Sequence, residues 1–363
     1  MTADLPVDAA ELESFLSAEL GESVVDTEVI HDGLNLSVAV STPSADPAYV
    51  LRQPNKLRET DSFNDVAQEY GVLNGLEDTS VPAPEPVYHC EDDSLLGSPF
   101  LVTTYLDGVP IPLGDDPPAR FRTPTGRERI ATGVVDTLAD LHTVDVEPFD
   151  SVCDEVPIGD QVARNVGLLE DATSVTGHDP PTLWAIADWL REHVPADSAT
   201  ALVHGDFRPG NVLFAGSEEP RISGVLDWET AFLGDPLTEL GYLLLRWRDD
   251  GDPTPSLDGL EERYDDAAVL GELEEVNEYG LAPFTNRPGS PTRDALIARY
   301  EDRTGLDFEN ERFYRAFAAF TLATVWAALN ADQVEARGDT AREPWIEYMA
   351  LVARVIVEAE GDL

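Results

Sequence analysis

His204-Gly205-Asp206-Phe207-Arg208-Pro209-Gly210-Asn211, followed by Asp227-Trp228-Glu229, is the stretch on which the reading of this chain turns. It presents a carboxylate at 206, an amide at 211 and a second carboxylate at 227. Phosphoryl transfer asks little covalent chemistry of a protein. It needs one carboxylate to orient a hydroxyl and a pair of oxygen ligands to hold magnesium on the phosphates. Asp206 follows the short apolar run Ala201-Leu202-Val203, which places it on a loop at a strand end, free to accept a hydrogen bond from a substrate hydroxyl. The Asn211 side-chain oxygen and the Asp227 carboxylate are hard donors of the kind magnesium takes. Arg208 supplies a guanidinium that neutralises charge on a phosphoryl group in flight. Taken singly, Asp206 reads as a turn cap, Asn211 as a loop residue, Asp227 as a strand terminator and Arg208 as a surface ion pair; the combined spacing is what sets them apart. His204 reads as a structural loop holder and Trp228 as a packing residue.

Outward from this stretch the pattern divides. Upstream, Asp8 caps a helix over Ala9 to Leu20, and three strands are expected at Val24–Ile30, Leu36–Ser41 and Ala48–Arg52. A helix capped by Ser62 runs to Leu76, and two strands lie near Pro86–Cys90 and Phe100–Tyr105. This is a small α+β lobe over residues 1–105. Leu106-Asp107-Gly108-Val109-Pro110 reads as a hinge, 106–110. Residues 111–363 turn helical, with apolar stripes at Ile130, Val134, Leu138 and Leu141, and at Leu183, Ile186, Leu190 and Val194. Short strands flank the motif at Ala201–Val203, Val212–Phe214 and Ile222–Leu226. Asp235-Pro236 opens another helix with an N-cap carboxylate and proline in the first turn. Residues 248–263 read as a surface loop, and helices are expected near 292–304, 309–335 and 341–359.

The motif resembles that of the aminoglycoside phosphotransferase and choline kinase superfamily, which is related to protein kinases. That resemblance implies a bilobal, protein kinase-like α+β fold: an antiparallel N-terminal sheet with one main helix, and a larger helical C-terminal lobe holding catalysis and substrate. It implies ATP and Mg2+ as cofactors, with Asp206 as the catalytic carboxylate and Asn211 and Asp227 on the metal. Tyr49-Val50-Leu51-Arg52 looks like the strand that carries the phosphate-binding lysine, with arginine in its place. Gln68-Glu69-Tyr70 looks like the helix whose glutamate pairs with it. Thr104-Tyr105-Leu106-Asp107-Gly108 looks like the hinge that reads adenine through its backbone. Leu138-Ala139-Asp140-Leu141-His142 and Gly234-Asp235-Pro236-Leu237-Thr238-Glu239 match further signatures, with Glu239 where aspartate is usual. No G-x-G-x-x-G loop is present; Asp32-Gly33-Leu34-Asn35-Leu36-Ser37 is the candidate phosphate cover, with Asn35 and Ser37 as its polar side chains. The branch most similar is the phosphotransferase-like domain associated with acyl-CoA dehydrogenases, where Leu-Arg is common at the strand position. It implies a hydroxyacyl-CoA acceptor; an aminoglycoside, choline or sugar kinase, and a kinase-shaped nucleotide binder without turnover, are the alternatives.

Composition narrows the other classes. The chain has 363 residues, of which 42% are hydrophobic, enough for a sizeable core. It carries 71 acidic against 23 basic residues, a net charge of −48, and Lys56 is its only lysine. The acids run the whole length rather than forming a tail. A coat of this kind resembles that of proteins from halophilic archaea, adapted to molar salt; an acidic protein made for a basic partner is the competing reading. No basic patch serves nucleic acid or an anionic membrane. The six histidines, at 31, 89, 142, 178, 193 and 204, form no HxH or HExxH pair, and Cys90 and Cys153 form no metal motif. The N-terminus lacks the order of a signal peptide, so a cytoplasmic protein is expected. At about 1 M salt the Debye length is about 3 Å, so the overall charge does not exclude a nucleotide triphosphate. Dilution should expose the self-repulsion: the melting temperature is expected to rise with KCl from low to molar concentration, and equal values at both ends would refute the salt adaptation.

Overall fold

The computed structural model describes residues 7–33, 35–54, 63–196, 198–337 and 342–359. Strand β1 (Asp26–Asp32), β2 (Asn35–Ser41), β3 (Tyr49–Pro54), β4 (Pro86–Cys90) and β5 (Phe100–Thr104) form one sheet in the order β1-β2-β3-β5-β4, antiparallel throughout. Alternation along each strand gives the sheet two apolar faces. Val38, Val40, Leu51, Phe100 and Val102 meet Leu12 and Leu16 of helix α1 (Ala9–Leu20), capped by Asp8 as expected. Leu101, out of phase with its neighbours, joins Val66, Val72, Leu73 and Leu76 of α2 (Val66–Leu76) in the larger core. Arg52 lies in register with Ser37 on one side and Leu101 on the other, so it emerges on the α2 face of the sheet.

Helix α2 starts later than expected. Its N-cap is Asp65, whose carboxylate accepts from Gln68 N while Gln68 answers to Asp65 N, a capping box. Ser62, the expected cap, and Lys56 lie outside the described residues.

Beyond Thr104 the chain is mainly helical: α3 (Pro124–His142), α4 (Ile158–Thr176), α5 (Pro181–Glu192), α6 (Pro236–Leu244), α7 (Asp258–Glu261), α8 (Ala267–Tyr279), α9 (Arg293–Thr304), α10 (Glu311–Arg337) and α11 (Glu343–Glu358). Helix α10 is the central one, buried through Phe313, Ala316, Phe317, Phe320 and Ala323 and packed by α4, α6 and α11. Three short strands, β6 (Glu155–Val156), β10 (Phe232–Gly234) and β7 (Ala201–Val203), line up in that order, and β8 (Val212–Ala215) pairs with β9 (Arg221–Val225). Helices α4 and α8 and strands β6 and β10 were not expected. Residues 248–263 are not a plain surface loop: they contain α7, and Leu257 and Leu260 are buried in the core. No described helix is long and apolar enough to cross a membrane.

The expected hinge is stitched to β8. Val109 and Phe214 exchange backbone hydrogen bonds, each 3.1 Å, and Ile111 N donates to Pro209 O. The segment after the sheet is thereby fixed against the loop that carries the motif.

Candidate active site

Strand β7 delivers His204 to a turn that only glycine completes. Gly205 sits at φ 85°, and a Cβ there would stand 2.3 Å from the Thr230 carbonyl oxygen. Thr230 in turn donates from Oγ1 to His204 O at 2.9 Å. Gly205→Ala is therefore expected to lower stability by more than about 1 kcal/mol, the cost of left-handed backbone alone, read as a shift in urea midpoint. His204 Nδ1 accepts from Asp206 N at 3.2 Å while Nε2 meets Leu226 O at 2.8 Å, which fits a proton on Nε2. The imidazole also packs on Trp228, ring centroids 4.6 Å apart. Both residues hold the loop.

Glu239 does more than its place in a helix-starting signature implies. Asp235 caps α6 and accepts from Leu237 N, which sets the helix so that Glu239 in its first turn reaches back. Its carboxylate accepts from His204 N (3.0 Å), Gly205 N (2.7 Å) and Phe207 N (3.3 Å). Its Oε2 also lies 3.2 Å from His142 Nε2, and His142 Nδ1 is 2.7 Å from the Tyr300 hydroxyl. Burial and the Glu239 charge raise the Tyr300 pKa well above its ordinary value, so that hydroxyl stays protonated. Residues from α3, α6 and α9 thus grip one turn of backbone.

Asp206 emerges from that turn with its carboxylate surrounded. Oδ1 accepts from the Tyr242 hydroxyl at 2.8 Å, and Oδ2 from Asn211 Nδ2 at 2.8 Å. Arg208 Nε lies 3.1 Å from Oδ1 and 3.0 Å from Oδ2. Burial works against the Arg208 charge, yet Asp206, Tyr242 and Asp227 together raise its pKa above the ordinary arginine value. Tyr242, pushed up to about 12 by burial and by Asp206, remains a neutral donor. Its ring carries the Arg246 guanidinium at 4.2 Å. Tyr242 was not anticipated: its only sequence signal is its place one helical turn after Glu239, with the apolar residues of α6 around it.

The second carboxylate lies at the end of β9. Asp227 has φ 67°, one of two described non-glycine residues with positive φ, and its side chain is 43% exposed. Arg52 Nη2 reaches Asp227 Oδ1 at 2.8 Å and Glu229 Oε2 at 3.0 Å, and Arg52 Nη1 reaches Glu69 Oε1 at 3.1 Å. Burial opposes the Arg52 charge, but Glu69, Asp227 and Glu229 together raise its pKa above the ordinary arginine value. The structure therefore brings Arg52 and Glu69 together and adds Glu229, to which the sequence alone assigned no role. Asn35 is buried and donates to Glu229 Oε1 at 3.0 Å, tying β2 to the segment after β9. Ser37 is half-buried opposite Arg52 in the β2–β3 ladder.

At the expected hinge, Thr104 N donates to Glu85 O and Tyr105 N to Ala48 O, both at 2.9 Å. Those two donors serve the protein itself, and Leu106 packs its side chain on Gly224, where a Cβ would come within 2.5 Å of Leu106 Cδ1.

The donor chemistry fits a magnesium ion carried on phosphates. The Asn211 Nδ2 group is spent on the Asp206 carbonyl and carboxylate, so its amide is oriented with the oxygen as the remaining ligand atom. Asp227 adds one half-exposed carboxylate. Two protein oxygens match an ion that keeps waters and bridges phosphates.

The profile of the phosphotransferase enzyme family matches residues 27–279, which takes in the sheet, Arg52, Glu69 and the whole motif. The chain belongs to the phosphotransferase enzyme family. Residues 27–279 are thus a phosphotransferase-family domain, and kinases of this family use ATP with Mg2+. The phosphotransferase is 29% identical over 284 residues to acyl-CoA dehydrogenase family member 10 of Mus musculus, covering 77% of this chain but only 24% of the mouse protein. Among solved structures it is similar to a Ralstonia eutropha protein provisionally assigned as an aminoglycoside phosphotransferase, with a TM-score of 0.71 and 22% identity over 98% of this chain and 99% of the other. It is also similar to the GDP and kanamycin complex of APH(2″)-IIIa, with a TM-score of 0.60 and 15% identity over 95% and 98%. At these identities the structural likeness speaks for the fold: the phosphotransferase has the bilobal, kinase-like α+β architecture.

Proposed function

We propose that this phosphotransferase moves the γ-phosphoryl group of ATP to the hydroxyl of a hydroxyacyl-CoA. The observation that supports the phosphoryl-transfer reading is the Asn211 amide, whose Nδ2 donates to Asp206 O at 3.0 Å and Asp206 Oδ2 at 2.8 Å and so joins the hydroxyl-orienting carboxylate to a candidate metal ligand. In this reading residues 1–105 hold the nucleotide, 106–110 are the hinge and 111–363 carry catalysis and acceptor. The base is read at Leu106, since Thr104 and Tyr105 have committed their N–H groups. Arg52, fixed by Glu69, offers its fork to phosphate. Asn211 and Asp227 would hold Mg2+, which when bound neutralises charge on the phosphates. Asp206 accepts the hydrogen bond of the acceptor hydroxyl and takes its proton as the oxygen attacks the γ-phosphorus, the bond from that phosphorus to the β-phosphate oxygen breaks and ADP leaves. Arg208 turns from Asp206 toward the transferring group and balances its charge.

The acceptor rests on the similarity to acyl-CoA dehydrogenase family proteins, of which this chain spans a minor part. The test is acceptor-dependent ADP release in molar KCl, comparing hydroxyacyl-CoAs, amino alcohols, sugars and aminoglycosides. The highest kcat/KM is expected on a hydroxyacyl-CoA. A higher value on an aminoglycoside or amino alcohol would replace this acceptor, and ADP release independent of every acceptor would leave a nucleotide binder without transfer.

A further inference from the structure

Arg246 is the most buried arginine among the described residues, 3% exposed, in a chain with 71 acidic residues, yet it has no carboxylate partner among them. The other two buried arginines do: Arg293 engages Asp249 and Asp252, and Arg315 engages Glu311. The one hydrogen bond that the Arg246 guanidinium makes with a described residue runs from Nη1 to Tyr242 O at 2.6 Å. Nε and Nη2 make none, and neither is sealed from solvent as the partnerless Nε of Arg293 and of Arg315 are. A buried guanidinium without a counter-charge is costly to keep. The free N–H groups of its rigid fork suit a carbonyl or carboxylate oxygen.

The position of Arg246 points to the ligand. It follows Tyr242 by one helical turn, its guanidinium lies over the Tyr242 ring at 4.2 Å, and the hydroxyl of that ring donates to Asp206 Oδ1 at 2.8 Å. The other oxygen, Oδ2, takes the amide of Asn211, the candidate metal ligand. Arg246 therefore stands one phenol ring from the hydroxyl-orienting carboxylate, behind the oxygen that does not meet Asn211. Thr285, in the turn Pro283–Asn286, donates from Oγ1 to Arg246 O at 3.2 Å and holds the backbone there. We infer that Arg246 determines acceptor specificity by receiving the acyl oxygen of an acceptor whose hydroxyl, a few carbons away, lies on Asp206. The inference rests on the role proposed above for Asp206. The acyl oxygen belongs to a hydroxyacyl thioester or to a free hydroxy acid, which share this chemistry. An amino sugar would bring like charge to the same place.

The probes are 3-hydroxybutyryl-CoA, 3-hydroxybutyrate and the thioether S-(3-hydroxybutyl)-CoA, which keeps the hydroxyl and lacks the acyl oxygen. Calorimetry measures their binding to the full chain with MgADP in molar KCl. The thioester or the acid is expected to bind, and the tighter of the two names the source. Arg246→Gln should weaken that probe by about tenfold or more, the worth of one hydrogen bond to a charged group, and leave the thioether unchanged. MgADP affinity and thermal melting report whether the variant is folded. If it is not, Arg246→Lys, which keeps the charge and loses the fork, should still weaken the probe measurably. No binding of either acyl probe to the parent protein, an equal loss on the thioether, or parent affinity in the folded variant overturns the inference. Phosphoryl transfer is read separately, as ADP release. Acyl binding that needs Arg246 without transfer would uphold the Arg246 site and remove the hydroxyacyl acceptor; transfer with an unchanged KM in the variant would do the reverse.

Discussion

Asp206→Asn is expected to lower kcat by about 10²- to 10⁴-fold, the usual worth of a positioned proton acceptor, while nucleotide affinity changes little. The substitution keeps the size of the side chain and leaves the loop's backbone anchors on Glu239 untouched, at His204, Gly205 and Phe207. What it removes is the negative oxygen that Tyr242 and Arg208 now address and that a hydroxyl would have to reach. The measurement is ADP release with the best acceptor, alongside thermal melting to show that the fold is intact. Turnover equal to the parent protein in a folded variant would remove Asp206 from the chemistry.

Arg52→Met has the largest expected effect on stability. One guanidinium answers three carboxylates, and Glu69 is 2% exposed while Glu229 is 9% exposed. Removing this cation takes one ion-pair partner from two carboxylates in a poorly solvated place, and breaking such a buried arrangement from one side costs up to about 3–5 kcal/mol. Asp227, 43% exposed, adds little to that figure because solvent screens it. Urea unfolding in molar KCl measures the loss. Arg52→Lys should recover part of it, because it restores the charge but not the fork that reaches Glu69 from one nitrogen and Asp227 and Glu229 from the other. A loss under about 1 kcal/mol in the methionine variant would mean that the three carboxylates are held without help from Arg52, contrary to the expected cost of breaking a buried ion pair from one side.

Much of the fold was legible where local chemistry decides structure. Asp8 and Asp235 cap their helices because a short carboxylate reaches the exposed N–H groups of a first turn. The N-terminal strands were placed to within a few residues because their apolar residues alternate. Helix α4 escaped notice because Pro157 precedes it without a side-chain cap and its buried residues are spaced among many polar ones. Strands β6 and β10 are two and three residues long, too short for any period to show. The site follows the same division. Asp206, Asn211 and Asp227 stand close in sequence and could be read as a set. The Asn35–Glu229 bond joins residues 194 apart, and Tyr242 lies 36 residues from Asp206. Such pairings are made by tertiary packing, and no local spacing announces them.

The crowding of Asp206 has a consequence for economy with ATP. Both carboxylate oxygens already accept bonds, from Tyr242, Asn211 and Arg208. A stray water meets an acceptor whose lone pairs are occupied, and it brings no other contact to offset displacing a guanidinium. A bound acceptor molecule has binding energy elsewhere with which to do so. With Asp206 in the proposed role, the resting arrangement is expected to disfavour hydrolysis before any acceptor arrives, and futile turnover of nucleotide should be slow for a reason built into the loop itself.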